Sequence, residues 1–293
     1  MAFTTKLRGQ LTNSSIKSIP EEAVEFHTLV EVQNRLLKEY DENKEIFDAS
    51  DVSKIVERLS YLRRFAQRQD GNADKTFEMV KNTLIWRKDM KLPLMTDDVL
   101  PIEFYDLGSG FIHGTDFNGN LIFHVRAKYC CFSDKVNKAI QRFFAYMLFK
   151  VTEISIIERK GWTLFIDMTG VSVTQFDLAG LLWLLKFIVS YLPAGLKSII
   201  LYNLPWYSKP LMKVFMTFIP REWKQIIHIV GQKELTKLIP NEFIPCYIEN
   251  PKLKYNVAIP PEAKPLSKID VTYYDTERED LVDYFYNILY KIK

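Results

Sequence analysis

One carboxylate stands where α/β enzymes commonly place a catalytic group. Asp167 ends an apolar run that begins at Trp162, and Thr169 and Gly170 follow it as a turn. Catalysis there would also need a second carboxylate, a glycine-rich phosphate loop or a lysine at a usable spacing, and the surrounding sequence supplies none of these. The Gly-x-Ser-x-Gly pattern of hydrolases does not occur in the chain. We therefore expect Asp167 to cap its loop, and the sequence predicts a binding protein, not an enzyme.

The other side chains that could do chemistry lack a functional spacing. Gly108 and Gly110 precede a hairpin signal, whereas a dinucleotide loop follows a strand and opens a helix. The remaining candidates share the ability to ligate a metal, but none has the spacing of a metal or redox site; they are His27, His113, His124, His228, Cys130, Cys131 and Cys246. The sequence therefore predicts neither a metal nor a cofactor, and reduced thiols are typical of a cytosolic protein.

Length, charge and hydropathy limit the kinds of protein that this sequence can encode. The chain has 293 residues, 47% of them hydrophobic, which suffices for one substantial domain and a smaller one. Its formal net charge of +3 gives no indication of nucleic-acid binding. The most apolar stretch, 178–196, is interrupted by Lys186 and Pro193, and a lysine at the centre of a membrane span costs about 2.5–3.5 kcal/mol. We expect a soluble, monomeric chain that touches membranes without crossing them.

Helical periodicity recurs in the first hundred residues. Apolar residues at helical spacing predict helices at 21–43, 48–69 and 73–90. Asp48 and Ser50 are typical start signals for the second of these helices. Residues 1–20 show no periodicity and are predicted to form a flexible tail. We therefore predict an N-terminal helical subdomain over 21–100.

After Pro101 the pattern changes to strands that alternate with helices. Asn118-Gly119 predicts a β-hairpin between 111–114 and 121–126, and a long helix is predicted at 133–159. The following segments read alternately as strand and helix, at 162–167, 181–191, 198–203, 211–219, 226–230 and 233–238. This order predicts an α/β domain over 101–250, with a mixed, largely parallel sheet covered by helices. Residues 251–293 are predicted to be a linker and an amphipathic helix at 280–292.

Several segments occur in an order and spacing that resemble one protein family. In the main domain they are His113-Gly-Thr-Asp-Phe-Asn-Gly-Asn-Leu-Ile122, Phe165-Ile-Asp-Met-Thr-Gly170, Tyr191-Leu-Pro193, Asn203-Leu-Pro-Trp206 and Ile239-Pro-Asn-Glu-Phe-Ile-Pro245. In the helical part they are Leu62-Arg-Arg-Phe65 and Phe77-Glu-Met-Val-Lys-Asn-Thr-Leu-Ile-Trp-Arg-Lys88. Over about 51–250 the chain is similar to the CRAL-TRIO, or Sec14-like, lipid-binding domains.

The resemblance implies a lipid, or another hydrophobic small molecule, in an internal pocket from which it is exchanged between membranes. Apolar side chains of the predicted sheet and helices are the candidate pocket residues: Phe123, Val125, Phe144, Leu148, Phe165, Leu182, Leu185, Leu201 and Phe215. In this family the helix after the Asn-x-Pro strand acts as a lid. Here the lid is residues 206–219, and its apolar members are Trp206, Leu211, Met212, Val214, Met216 and Phe218.

A dry cavity of about 300–1,000 Å³ would cost on the order of 7–24 kcal/mol. We therefore expect the pocket to hold lipid, or to shrink when the lid closes. Basic residues near it are candidates for contact with a membrane or a lipid headgroup; they are Arg63, Arg64, Arg68, Lys209 and Lys213. Phosphatidylinositol-transferring relatives carry basic residues where this chain has Gln69-Asp70 and Gln225-Ile226. The resemblance also implies a cytoplasmic protein, peripheral on membranes such as the endoplasmic reticulum.

Two other functions remain open from the sequence. Side chains such as Leu182, Trp183 and Phe187 could fill the interior, which would make the same fold an interaction scaffold without a ligand. A doubly wound sheet could also carry a nucleotide-dependent enzyme. Lipid extraction of the purified chain distinguishes the scaffold from a lipid carrier, and thermal stabilisation by nucleotides tests for the enzyme.

Overall fold

The computed structural model describes residues 19–130, 133–175, 178–219, 221–250 and 255–288. The strands are β1 (Gly110–Thr115), β2 (Leu121–Arg126), β3 (Trp162–Asp167), β4 (Leu196–Tyr202) and β5 (Ile227–Val230). The helices are α1 (Phe26–Glu42), α2 (Ala49–Glu57), α3 (Leu59–Arg68), α4 (Ala73–Asp89), α5 (Ile102–Leu107), α6 (Asn137–Ile157), α7 (Leu178–Tyr191), α8 (Lys209–Phe218), α9 (Arg221–Lys224), α10 (Gln232–Leu235), α11 (Cys246–Glu249) and α12 (Arg278–Tyr286). The predicted tail at 1–18 lies outside the described residues.

The first four helices pack around a core of their own. Leu29 and Val32 of α1 meet Leu62 and Phe65 of α3 and Val80 of α4, and all five side chains are fully buried. The sequence predicted one helix over 48–69, but Arg58 leaves helical geometry and separates α2 from α3.

A contact with α6 lies at this break. Lys54 and Arg58 reach the same carboxylate, that of Glu153 on α6, at nitrogen–oxygen distances of 2.8 and 2.6 Å. The pattern of apolar residues does not report such a contact, because helical periodicity contains no information about partners on another helix.

Among the described residues the sheet has five strands in the order β1-β2-β3-β4-β5. The strands β1 and β2 form the predicted antiparallel hairpin, whose turn uses Gly119 at a φ of +75°. The pairs β2–β3, β3–β4 and β4–β5 are parallel. The predicted fold class, a mixed and largely parallel sheet with covering helices and an N-terminal helical part, is confirmed.

The two faces of this sheet bury different sets of residues because successive strand side chains point to opposite sides. On one face, Leu164 and Ile166 of β3 lie with Leu201 of β4 under α6 and α7. The opposite face carries a separate cluster of fully or nearly fully buried side chains: Ile122, Phe165, Ile200, Tyr202, Leu235 and Ile239. The sheet therefore divides the main domain into two interiors.

The segment 255–288 returns along α5 and α6. Leu281 and Phe285 of α12 are buried in the same core as α6, and the buried Arg142 of α6 donates to the carbonyls of Met90 and Tyr273. Arg142 also pairs with Asp275, whose pKa is held well below its usual range by the hydrogen bonds from Lys91 and Arg142. Within the described residues, no helix is both long and apolar enough to span a bilayer.

Candidate functional site

An apolar hollow lies between the sheet and α7. The first of its two chambers has about 560 Å³ of space between atoms. Its described lining comes from the ends of β2 and β3 and the segments that follow them, from α6 and from the first turns of α7: Val125, Ala127, Cys130, Phe144, Ile166, Met168, Val171, Gln175, Gly180, Leu181, Trp183 and Leu184. Gln175 is the polar side chain of this set.

A second chamber continues the hollow toward β4 and β5, with about 540 Å³ between atoms. Its described lining is entirely apolar: Leu164, Ile166, Met168, Leu181, Leu184, Leu185, Ile188, Ile199, Leu201, Leu204, Met212, Ile219 and Ile227. Ile166, Met168, Leu181 and Leu184 line both chambers. These four residues form a shared wall, so the two chambers are neighbours in one hollow.

Both chambers are narrow. The centre of a water molecule can occupy only about 60 Å³ of the first and about 40 Å³ of the second. These volumes lie far below the roughly 300–1,000 Å³ of small-molecule sites, so both chambers are slots between side chains.

The local sequence explains why the walls are apolar. In the parallel register Val125 pairs with Ile166, and Ile166 pairs with Leu201, so these side chains lie side by side on one face. The residues of α7 that line the second chamber follow helical spacing: Leu181, Leu184, Leu185 and Ile188. The other side of α7 is fixed to α4, where Trp86 stacks on Tyr191 at a centroid distance of 4.5 Å.

The lid lies over the second chamber. Met212 and Leu204 line this chamber on one side and an outer groove on the other. The groove also contains Met216 and Ile229, which is 52% exposed. At the start of the lid, the hydroxyl of Tyr207 donates to the carbonyl of Val171, which lines the first chamber. Leu204 and Met212 thus lie between the second chamber and the outer groove.

Four of the nine predicted pocket residues line the hollow. Val125 and Phe144 line the first chamber, and Leu185 and Leu201 line the second. Three others belong to or pack against the surrounding core without lining either chamber; they are Phe123, Leu148 and Leu182.

Phe165 was placed on the wrong face of the sheet. It lies in the cluster on the opposite side, between His124 and Tyr202, at ring distances of 5.1 and 5.7 Å. Its neighbours Leu164 and Ile166 line the hollow instead. The reason is the alternation of side chains along a strand. The side chain of Phe215 lies outside the described residues.

The lid residues divide in a similar way. Met212 lines the second chamber, Met216 lines the outer groove, and Trp206 is 80% exposed. The side chains of Leu211, Val214 and Phe218 lie outside the described residues.

The three arginines of α3 turn inward, contrary to the predicted headgroup contact. Arg63 donates to the carbonyls of Glu21 and Val24. Arg64 is buried, and its Nη2 lies 3.7 Å from a carboxylate oxygen of Glu21. The reason is that α3 packs this side against the N-terminal segment and the main domain. Lys213 is exposed, and the side chain of Lys209 lies outside the described residues.

Arg68 is the third of these arginines, and it is sealed inside the protein. Its guanidinium lies 5.1 Å over the ring of Trp223, and within the described residues its Nε and Nη2 atoms have no hydrogen-bond partner. Burial lowers the pKa of Arg68 to about 10. Arg68 lines neither chamber. It is a buried cation and forms no part of a surface that a membrane could contact.

Two side chains considered for catalysis, Asp167 and His124, are buried and hydrogen-bonded within the fold. Asp167 is 3% exposed and accepts a hydrogen bond of 2.8 Å from the backbone N–H of Thr169, and burial raises its pKa. His124 is fully buried, its Nε2 lies 3.0 Å from the carbonyl oxygen of His113, and burial lowers its pKa to about 3. The described residues contain no group of three or more side chains arranged to hold a metal ion.

The sequence interpretation missed the shared wall. Ile166, Met168, Leu181 and Leu184 were not among the predicted pocket residues, although they border both chambers. The parallel register places Ile166 on the same face as Val125, but this register is a property of strand pairing and is not contained in the local sequence pattern.

Comparison with known proteins agrees with this architecture. Residues 105–249 match the family model described as the CRAL/TRIO domain. The chain is also similar to the protein in the crystal structure of Sfh5, with 14% sequence identity and a TM-score of 0.51, covering 88% of this chain and 96% of that one. At this identity the likeness concerns the fold. Residues 105–249 are therefore similar to CRAL/TRIO domains, and the likeness to the Sfh5 structure shows a shared fold.

Proposed function

We propose that this chain binds one hydrophobic lipid in the two chambers and carries it between membranes. The observation that carries the proposal is the hollow itself, which has a shared wall, is almost wholly apolar and is bordered by Met212 of the lid. Among the described lining residues none is acidic, basic or histidine, and the one nucleophilic group is the thiol of Cys130, which has no charged or histidine neighbour in that lining to activate it.

The energetics favour a bound lipid. Each buried methylene contributes about 0.8 kcal/mol, so a sixteen-carbon chain is held out of water by roughly 13 kcal/mol. Free diffusion of such a molecule through water is correspondingly rare, and a closed apolar chamber removes that barrier. The narrowness of the chambers fits a lid that settles inward when no lipid is bound, since an open dry cavity is costly.

The lid is the proposed moving part. It is a short helix, its Met212 faces the chamber, and its opposite side borders an apolar groove. Outward movement would open the second chamber directly. The exposed Trp206 and the exposed Lys213 suit contact with a membrane, where an amphipathic ring lies at the interface and a cation lies near phosphates.

This function places the chain in the cytoplasm as a monomer that visits membranes, such as the endoplasmic reticulum, and acts by binding without catalysis. We further propose a specific kinship with the N-terminal domain of motile sperm domain-containing protein 2. That kinship rests on the run through Arg126-Ala-Lys128 and on Asn203-Leu-Pro-Trp206.

The test is a transfer assay between vesicles. Donor vesicles carry either a fluorescent sterol or a phosphatidylcholine with a pyrene-labelled chain, and acceptor vesicles carry a quencher. We expect catalytic amounts of the purified chain to accelerate the transfer of at least one probe. Failure to bind or transfer either probe would reject the proposal and favour a scaffold with a filled interior.

A further inference from the structure

A polar cleft lies between the N-terminal helices and α6, apart from the hollow. Its described lining shares no residue with either chamber. The centre of a water molecule can move through about 690 Å³ of this cleft, against about 60 Å³ in the first chamber. That volume lies within the roughly 300–1,000 Å³ of small-molecule sites. The cleft is therefore large enough for a ligand in the arrangement that the structure shows.

Two helices form the walls of the cleft. Lys54 of α2 and Arg58, which directly follows α2, line one wall, and Tyr146, Lys150 and Glu153 of α6 line the other. Lys54 and Arg58 each bind one carboxylate oxygen of Glu153. These contacts join the two walls and fix the width of the cleft.

The floor of the cleft carries a buried guanidinium. Arg87 of α4 is 8% exposed, and its Nε and Nη2 donate to the two carboxylate oxygens of Asp51 at 2.7 and 2.8 Å. Its guanidinium carbon lies 4.4 Å from the centroid of the Phe149 ring. Because Asp51 holds one edge and Phe149 covers one face, Nη1 is the nitrogen left to border the cleft. No hydrogen bond joins this Nη1 to the part of the chain that the structure describes.

The charges around this nitrogen favour an anionic ligand. The described lining has more cations than acids, with Lys54, Arg58, Arg87 and Lys150 against Asp51, Glu57 and Glu153. Both oxygens of Asp51 and of Glu153 already accept hydrogen bonds from these cations. Glu57 is exposed, where water weakens its field. An ammonium group has three N–H donors and a guanidinium five, so the cations retain donors for the oxygens of a ligand.

The rest of the floor is apolar. Leu92, Met95 and Phe149 are buried, and Pro93 and Tyr146 complete this part of the lining. A hydrocarbon or aromatic group placed there would be removed from water, which favours binding, whereas an inorganic ion gains nothing from such a surface. A few fixed polar groups beside an apolar surface are typical of sites for small organic molecules.

We propose that this cleft binds a small organic anion, with its carboxylate or phosphate group against Arg87 and its apolar or aromatic body on the floor. A buried ion pair often stabilises a fold no better than apolar side chains of similar size. The place of the Asp51–Arg87 pair at the floor of an open cleft therefore suits recognition better than stability. The site is separate from the lipid hollow and goes beyond the proposed function.

A titration with three probes that share one benzene ring tests the proposal. Phenyl phosphate, phenylacetate and benzyl alcohol are added to the purified chain, and the broadening of their ring proton signals in NMR spectra measures the dissociation constants. We expect at least one of the two anions to bind at least tenfold more tightly than benzyl alcohol. Equal or weaker binding of both anions would overturn the proposal.

Inorganic phosphate, added as a competitor, tests the role of the apolar floor. It should displace the bound organic anion only at a concentration at least tenfold higher than that of the organic anion itself. Displacement at equal concentrations would show that the cleft holds a bare ion and would overturn the proposal of an organic ligand.

A matched pair of variants locates the site. Ser53 is exposed and lines the cleft, so Ser53→Trp should fill the cleft and weaken binding of the organic anion at least tenfold. Ser60 is exposed on α3 outside the lining, and Ser60→Trp should bind within twofold of the unmodified chain. Neither variant changes the buried pair. Equal affinities in the two variants would place the anion elsewhere and contradict the proposal.

The variant Arg87→Lys tests the anchor of the anion. Lysine keeps a cation beside Asp51 but lacks the planar fork of the guanidinium, so binding should weaken at least fivefold, with circular dichroism as the control for folding. Unchanged affinity would contradict the proposal, and if this variant does not fold, the tryptophan pair decides.

A chain loaded with a fluorescent sterol separates the cleft from the hollow. The loaded chain should bind the organic anion within twofold of the unloaded chain and keep its sterol. Release of the sterol by the anion would place the anion in the hollow and overturn the inference, while the proposed lipid transfer would stand. Failure of lipid transfer, with the anion still bound in the cleft, would reject the proposed function alone.

Discussion

The two faces of the central sheet differ in how completely they are filled. On the chamber face, Ile166 and Leu201 border open space. On the opposite face, Phe165 and Ile200, their immediate neighbours in sequence, belong to a closely packed cluster and border neither chamber. One set of strands therefore supports a solid core and a hollow one at the same time. The difference shows that alternate positions along a strand decide whether a side chain faces the packed cluster or the hollow.

The largest expected effect contrasts two adjacent residues of β3. Phe165→Ala removes a ring from the filled face and should lower the free energy of unfolding by about 3–5 kcal/mol. Ile166→Ala enlarges a hollow that already exists, so its cost should lie near the lower end of the range for such truncations, about 2 kcal/mol. Chemical denaturation followed by circular dichroism measures both. Equal losses would mean that the two faces are filled to the same degree.

The filled face should also respond to pH through His124. Its pKa is about 3 in the folded chain, because burial between Phe111 and Phe165 disfavours the charged ring, and an unfolded histidine has a pKa near 6.5. The unfolded state therefore binds a proton as pH falls below about 6.5, while the folded state does not. This linkage should lower the free energy of unfolding by about 2 kcal/mol at pH 5 relative to pH 8.

The variant His124→Gln isolates that contribution. It keeps a donor within reach of the His113 carbonyl and has no titratable ring. The difference in unfolding free energy between the unmodified chain and the variant should shrink or change sign as pH falls from 8 to 5. A difference that is independent of pH would show that His124 titrates normally and that the filled face is open to water.

A bulky substitution separates the two faces by function. Leu184→Trp places an indole in the shared wall, and it should weaken lipid binding at least tenfold, or about 1.4 kcal/mol, with little loss of stability because the ring fills existing space. The matched control is Ile200→Phe on the filled face, where overpacking should cost about 1–3 kcal/mol and leave binding intact in the folded fraction. Titration with a fluorescent lipid measures affinity. Normal affinity in Leu184→Trp would place the ligand elsewhere.

The smallest expected effect concerns the lid. Tyr207→Phe removes the hydrogen bond to the carbonyl of Val171, and a bond of this kind contributes about 0.5–1.5 kcal/mol. If opening of the lid limits lipid release, the release rate should increase roughly two- to tenfold. Stopped-flow fluorescence measures this rate, with overall stability as the control. An unchanged rate would indicate that lipid leaves by another route.

The sequence predicted the fold better than the site, for physical reasons. Apolar runs and the Asn118-Gly119 turn are local signals, and β3 begins and ends where the sequence predicted. The alternation of side chains between the two faces of a strand is also a local property. Which of the two faces borders the hollow depends on the register between neighbouring strands, which is not local. For this reason Phe165 was misplaced, although its alternation with Leu164 and Ile166 is plain in the sequence.

The arginines of α3 illustrate a second limit. A cationic helix face suggests a surface for phosphates, yet Arg63 and Arg64 bind groups of the N-terminal segment and Arg68 is sealed by Trp223. These partners are distant along the chain, on both sides of α3. Helical periodicity cannot show which side of a helix faces another part of the protein.

Native mass spectrometry tests the central claim most directly. The purified chain, exposed to mixed-lipid vesicles and separated from them, should carry one lipid per molecule, and Leu184→Trp should carry little or none. A spectrum of the unmodified chain that shows only the bare protein mass, under conditions that keep lipids bound to a known carrier, would contradict the account of the hollow as a lipid site.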